Sequence, residues 1–294
     1  MFEYFDNRTI IEGTVTVTGG LHIGAGGQIQ PGGTDNPVIR DALGRPFIPG
    51  SSLKGALRSF CERTLYTLNH PCMPACLITS GVGNCLSVGS YKEEFEHIKE
   101  EFEAHRITER EYADFIQSHL CAVCRLFGSP YQAAKVYVQD LYLAEPPPAP
   151  VQLRDGVAID RDLLTAVPRR KFDYEVVPAA TSFRLRILVE NARDEELGLL
   201  FLALRQLRAG NIPLGGKSSR GLGTVTCEIH RIQYIQGGVR ESLLDYLSRQ
   251  TTAGVSSEQP GEVSNPEQFM QRKIDALLEI LRRPSHAQSA TEST

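Results

Sequence analysis

The order of hydrophobic periods is the tightest constraint on what this chain can fold into. Residues 11–18 (IEGTVTVT) alternate apolar and polar side chains with period two, as a strand with one buried face does. Leu53, Ala56, Leu57 and Phe60 then recur at helical spacing, on a helix that Ser51 or Ser52 can cap and that runs to about Tyr66. Residues 135–143 (KVYVQDLYL) read as a second strand, stopped by Pro146, Pro147 and Pro148, and Phe183, Leu185, Ile187 and Val189 mark a third. Residues 195–208 form an apolar helix ended by Gly210, where left-handed backbone is wanted, and 224–235 alternate again. Strand, helix, strand, strand, helix, strand predicts an α+β fold with a ferredoxin-like, RNA-recognition-type sheet. The two halves share this order but no sequence repeat.

Composition bounds the class. With 41% hydrophobic and 22% charged residues, a 294-residue chain can fill a core in one large domain or two small ones. No run nears the roughly 18–20 apolar residues of a spanning helix, and MFEYFDNRT has no basic-then-apolar layout, so a cytoplasmic protein without a membrane partner is expected. Lys and Arg number 31 against 35 Asp and Glu, a net charge of −4 that by itself argues against indiscriminate polyanion binding. The average conceals two opposite regions. Residues 91–120 carry nine acids against four bases and read as a charged, solvated helix or helix pair inserted into the fold. Residues 197–227 hold Arg205, Arg208, Lys217 and Arg220 with no acid. The main domain is expected over 1–250, followed over 251–294 by a polar linker, a short helix and a disordered tail. That helix starts at Asn265-Pro266-Glu267, with Phe269, Ile274, Leu277, Leu278 and Leu281 on one side.

Three segments carry candidate binding chemistry. Residues 21–59 are glycine-rich and include His22 and Asp35, and they lead into a helix start bearing Ser51, Ser52, Lys54 and Arg58. Free amides, hydroxyls and bases at a helix N-terminus suit a phosphate; an ordinary serine cap is the alternative. Residues 214–223 (LGGKSSRGLG) fail as a nucleotide-binding loop, because Asn211 stands where that motif needs glycine and the loop follows a helix instead of opening one. Lys217, Ser218, Ser219 and Arg220 still suit a sugar–phosphate backbone. In residues 154–178, Arg161, Arg169, Arg170 and Lys171 interleave with Phe172 and Tyr174, as in a hairpin that stacks on bases and touches phosphate; a solvated loop is the alternative.

The cysteines point to a metal. There are seven, and five of them (Cys72, Cys76, Cys85, Cys121 and Cys124) crowd together without a secretion signal, so disulfides are not expected. Cys121 and Cys124 have the spacing of half a tetrahedral zinc site. The other half comes from Cys72, Cys76 and Cys85, with His70 and His119 in reserve. Cys61 and Cys227 read as core.

Taken together, GGTDNPVIRD, GRPFIPGSSLKGALRS, CAVCRLFGSP, RDGVAIDR…KFDYEVVP and IPLGGKSSRGLG resemble the repeat-associated (RAMP) superfamily. The closer likeness is to the backbone subunits of type III CRISPR interference complexes, of the Csm and Cmr type with a subtype D flavour. It runs from about Val15 to Ile235 and omits the acidic insert and the tail. The resemblance implies a palm with a thumb hairpin over about 150–180 and assembly along a CRISPR guide RNA with further copies and other subunits, while the cysteine spacing marks about 67–130 as a zinc-binding helical insertion. It implies cleavage of paired single-stranded target RNA at Asp35, with Mg or Mn as catalytic metal. It places His22, Lys54 and Arg58 on the guide backbone, with Lys217 to Arg220 lying on RNA. A non-catalytic backbone subunit and a CRISPR-RNA processing endonuclease stand as alternatives.

Overall fold

The computed structural model describes residues 4–26, 33–77, 85, 91–238, 240–250 and 261–283. Residues 251–260 and 284–294, where the sequence places linker and tail, lie outside the described residues, as do 27–32 of the glycine-rich stretch.

The alternating stretches form strands because each has one face to bury. In β1 (Asn7–Val17), Ile11, Val15 and Val17 are buried while Glu12, Thr14 and Thr16 are not. In β5 (Ser182–Glu190), Phe183, Leu185, Ile187 and Val189 point inward and Arg184 and Arg186 outward. With β2 (Val136–Val138) and β6 (Val225–Gln236) they make an antiparallel sheet in the order β2-β5-β1-β6. Two helices share the buried core of this sheet. The first, α1 (Gly50–Leu68), aligns Leu53, Leu57, Cys61 and Leu65 in one stripe. The second, α5 (Asp194–Arg208), is buried nearly all round, because α7 (Pro266–Arg282) covers its other side with Phe269, Met270, Ile274 and Leu277. Each such leucine or phenylalanine contributes about 1.5–3 kcal/mol. A further helix, α6 (Arg240–Gln250), has no counterpart in the sequence reading.

The acidic segment is a helix pair, α2 (Tyr91–Glu103) and α3 (Glu109–His119). Thr108 and Glu111 form a capping box on α3, and Phe102 stacks on Tyr112 with centroids 4.5 Å apart. A short α4 (Ala122–Phe127) leads back to the sheet. Glu196 on α5 ties this region down: fully buried, it pairs with Lys135 at 2.7 Å and Arg125 at 3.3 Å. Such a group requires its partners, since stripping one from a buried pair costs about 3–5 kcal/mol.

Residues 152–176 leave the sheet as a separate hairpin of β3 (Gln152–Ile159) and β4 (Ala166–Val176). Asp160 shapes its tip by accepting the Asp162 and Leu163 amides.

Two sequence expectations are corrected. The strand expected over 135–143 is regular only over Val136–Val138; beyond it, Leu141 and Leu143 make isolated bridges. Asp140 breaks the alternation because its carboxylate turns to accept the Gly50 amide at 2.8 Å. For the same reason neither Ser51 nor Ser52 caps α1. Pro49 is the N-cap and makes no side-chain bond, and Asp140 supplies the acceptor from outside.

Candidate functional site

The glycine-rich loop, the hairpin and the second glycine loop meet at the root of β4. Residues 35–38 lie along it: Asn36 bridges Tyr174 in parallel fashion, and the Glu175 amide donates to the Asn36 carbonyl at 3.0 Å. The Asp35 amide donates to the Asp173 carboxylate at 2.6 Å, and the Asp173 amide donates back to Asp35 Oδ2 at 3.0 Å. Asn36 Nδ2 donates to the Asp173 carbonyl at 3.0 Å. Glu175 finishes the clamp, its carboxylate accepting the Val38 amide at 2.9 Å and Arg40 at 3.0 Å. Asp35 remains exposed.

Buried His22 sits beneath this junction. Its Nδ1 lies 2.8 Å from the Glu175 carbonyl, which can only accept, so Nδ1 carries the proton and Nε2 is left as an acceptor in the neutral ring. The His22 carbonyl in turn accepts the Gly216 amide at 2.8 Å. This docks the second loop so that the Lys217 ammonium lies 4.8 Å from the Tyr174 ring centroid and the Arg220 guanidinium 6.0 Å from that of Phe172. Ser218 and Ser219 stand exposed in a 3-10 turn between them.

The remaining expected contact residues lie elsewhere. Arg169 and Arg170 are on β4 farther out along the hairpin, and Lys171 pairs with Asp155 across it at 3.0 Å. Lys54 is half-buried; burial, with the nearby charge of Arg58, lowers its pKa from the ordinary lysine value. Arg58 was expected on a phosphate. Its guanidinium instead bonds Glu62 at 2.8 Å, the Gly128 carbonyl at 2.9 Å and Cys124 Sγ at 3.6 Å.

Four thiols converge beside Arg58. The Sγ atoms of Cys76, Cys85, Cys121 and Cys124 all lie within 4.8 Å of one another, and Cys72 is exposed outside the group. Cys76 Sγ is 3.4 Å from Cys124 Sγ and 3.7 Å from Cys121 Sγ, close to the S···S edge of about 3.8 Å that 2.3 Å zinc–sulfur bonds give in a tetrahedron. Backbone amides of Cys121 and Cys124 donate to Cys85 and Cys121 sulfur. Hydrogen bonds from Cys124, Cys76 and Cys85 hold the Cys121 thiol well below the usual thiol range. Four converging thiols are an all-sulfur set that can hold a soft or borderline metal ion.

Compared with known proteins, the model of the RAMP superfamily matches residues 14–226. The chain belongs to the RAMP superfamily. A relative from Methanocaldococcus jannaschii named CRISPR system Cms endoribonuclease Csm3 is 29% identical over 231 residues, 74% of this chain and 77% of that protein. Proteins of the same name from Methanothermobacter thermautotrophicus and Mycobacterium tuberculosis match shorter pieces. They are 46% identical over 72 residues and 54% over 55, which cover 29% and 23% of those proteins and 23% and 18% of this chain.

The RAMP span takes in both loops, the hairpin and the cysteine cluster, and stops before α6 and α7. Sequence reasoning missed Asp173 and Glu175. The available signal was their alternation with Phe172 and Tyr174 in KFDYE, which puts two acids on one side of an otherwise basic strand. No helix among the described residues is long and apolar enough to cross a membrane.

Proposed function

We propose that this chain is a backbone subunit of a cytoplasmic type III CRISPR ribonucleoprotein. It assembles with further copies of itself and other subunits along a guide RNA and cuts the paired single-stranded target RNA. One observation carries this reading: an exposed Asp35 clamped to the root of a hairpin of bases and aromatics, on whose rings Lys217 and Arg220 lie. In this reading the main sheet with α1 and α5 is the ferredoxin-like palm, β3–β4 is the thumb, and the segment over about 67–130 is a zinc-bearing insertion.

RNA brings its own nucleophile. The 2′-oxygen bonds to the adjacent phosphorus as the 5′-oxygen departs, the 2′-hydroxyl proton leaves to a base, and the 5′-oxygen takes one up. What the protein must supply is in-line alignment and positive charge near the phosphoryl oxygens. Lys217 and Arg220 provide fixed charge, and the rings of Phe172 and Tyr174 offer stacking surface. Asp35 uses Oδ2 for the Asp173 amide, which leaves Oδ1 without a hydrogen-bond donor among the described residues. That oxygen serves either as proton acceptor or as a hard ligand for Mg²⁺ or Mn²⁺. Such a cation at Asp35 would offset the charge that develops on the phosphate. The chemistry of the four thiols fits zinc as a structural ion.

The test is Asp35→Ala in the reconstituted complex. Target cleavage should fall by at least about 10³-fold, the scale of a removed catalytic group. Guide content and target binding should persist, and cleavage that survives the substitution rules the assignment out.

A further inference from the structure

Asp35 and Asp173 do more than touch: each gives its amide to the other's carboxylate, closing a two-bond ring between the loop and the thumb strand. We propose that Asp173 is the positioning residue of Asp35, and that the thumb strand thereby sets the direction in which the Asp35 carboxylate points. The proposal rests on the reading of Asp35 as the group that acts on target RNA.

Three features separate this from plain packing. The loop has other anchors, in Asn36 to the Asp173 carbonyl, Val38 and Arg40 to the Glu175 carboxylate, and the Glu175 amide to Asn36. Losing the Asp173 carboxylate therefore leaves the loop attached and the Asp173 amide still on Asp35 Oδ2, while releasing the Asp35 backbone amide from which that side chain is aimed. The bond that aims Asp35 Oδ2 comes from a backbone amide of β4, whose register pairs Asp173 with Asp155 across the hairpin. A shift of the hairpin thus carries directly to the carboxylate. Finally, Asp35 is exposed, and an exposed carboxylate without a partner would sample several rotamers. The Asp173 amide on Oδ2 selects one of them, and the Asp173 carboxylate fixes the backbone it springs from, before substrate arrives, which is where pre-organisation lowers a barrier.

The experiment uses the full complex with guide and target, and measures single-turnover cleavage rate and target affinity separately. Asp173→Ala should slow cleavage by about 10- to 100-fold with target affinity within about twofold, the signature of misplacement without lost binding. Asp173→Asn keeps an oxygen that accepts the Asp35 amide and should recover most of the rate. Asp173→Gln moves that oxygen by one methylene and should be slow like alanine; it takes alanine's place if that variant does not assemble. Wild-type rates in both Ala and Gln variants overturn the proposal, and so does an Asn variant as slow as Ala, which would make the charge decisive instead of the bond. Asp35→Ala run alongside separates the two claims. If it still cuts, the assignment of Asp35 fails; if it is inactive while Asp173→Ala cuts normally, the clasp alone fails.

Discussion

A thiol reports its own surroundings, because only the thiolate reacts with an alkylating agent. The seven cysteines should therefore label in three distinct groups. Cys72 is exposed and should be alkylated first near neutral pH. Burial pushes the Cys227 thiol up to about 12 and raises Cys61 as well, so both should stay unlabelled until the protein unfolds. Cys76, Cys85, Cys121 and Cys124 should be protected by their ion and become reactive together after chelation. Elemental analysis should give close to one zinc per chain. Independent labelling of the four thiols in metal-replete protein, or a folded preparation without metal, would refute the centre.

Among the elements, the β3–β4 hairpin depends on one missing side chain. A Cβ on Gly156 would stand 2.3 Å from the Phe172 ring, which crosses the partner strand at that position. Gly156→Val should swing Phe172 out from under Lys217 and Arg220, with little effect on a sheet the hairpin does not join. Guide-RNA affinity should fall about 3- to 30-fold, one or two cation–π contacts' worth, at nearly unchanged melting temperature. Equal affinity for both proteins would show that ring placement is irrelevant to RNA. Legibility in the sequence follows the same division between local and distant causes. β1, β5 and β6 were readable because each buries one face, so period two is written in the chain itself. The 135–143 strand was over-read because what ends it is a bond from Asp140 to a residue 90 positions earlier. The helix α6 left almost no pattern, since Tyr246 is buried but Leu244 and Leu247 are exposed. The loops announced themselves through glycine and base content. Asp173 did not, because its meaning lies in a partner 138 residues away. The same holds for Arg58: the helix start in front of it suggests a phosphate site, and its bond to Cys124, 66 residues away, leaves no mark in the local pattern.

For the molecule as a whole, the helix layer is closed by a segment outside the RAMP span. α7 seats on α5 so closely that a Cβ on Gly198 would lie 2.1 Å from the Lys273 carbonyl oxygen and 3.0 Å from Leu277 Cβ. Phe201 meets Phe269 edge to face, and Arg205 bonds Gln271 at 2.6 Å along the same seam. Glycine inside a helix is otherwise unfavourable by about 1 kcal/mol relative to alanine, so its presence here reflects the approach of the second helix. The sign of a single substitution therefore reports whether α7 is docked. Gly198→Ala gains helix propensity but must push the helices apart, and overpacking costs about 1–3 kcal/mol. Gly55 supplies the control, since it is exposed in α1 with nothing within 4 Å of an added Cβ. Gly55→Ala should raise the melting temperature, while Gly198→Ala should lower it by a few degrees, at about 2–4 °C per kcal/mol for a chain of this size. Thermal unfolding of the two full-length variants decides the matter. If both substitutions stabilise, α7 does not close the helix layer in solution, and the packing that buries α5 nearly all round is wrong.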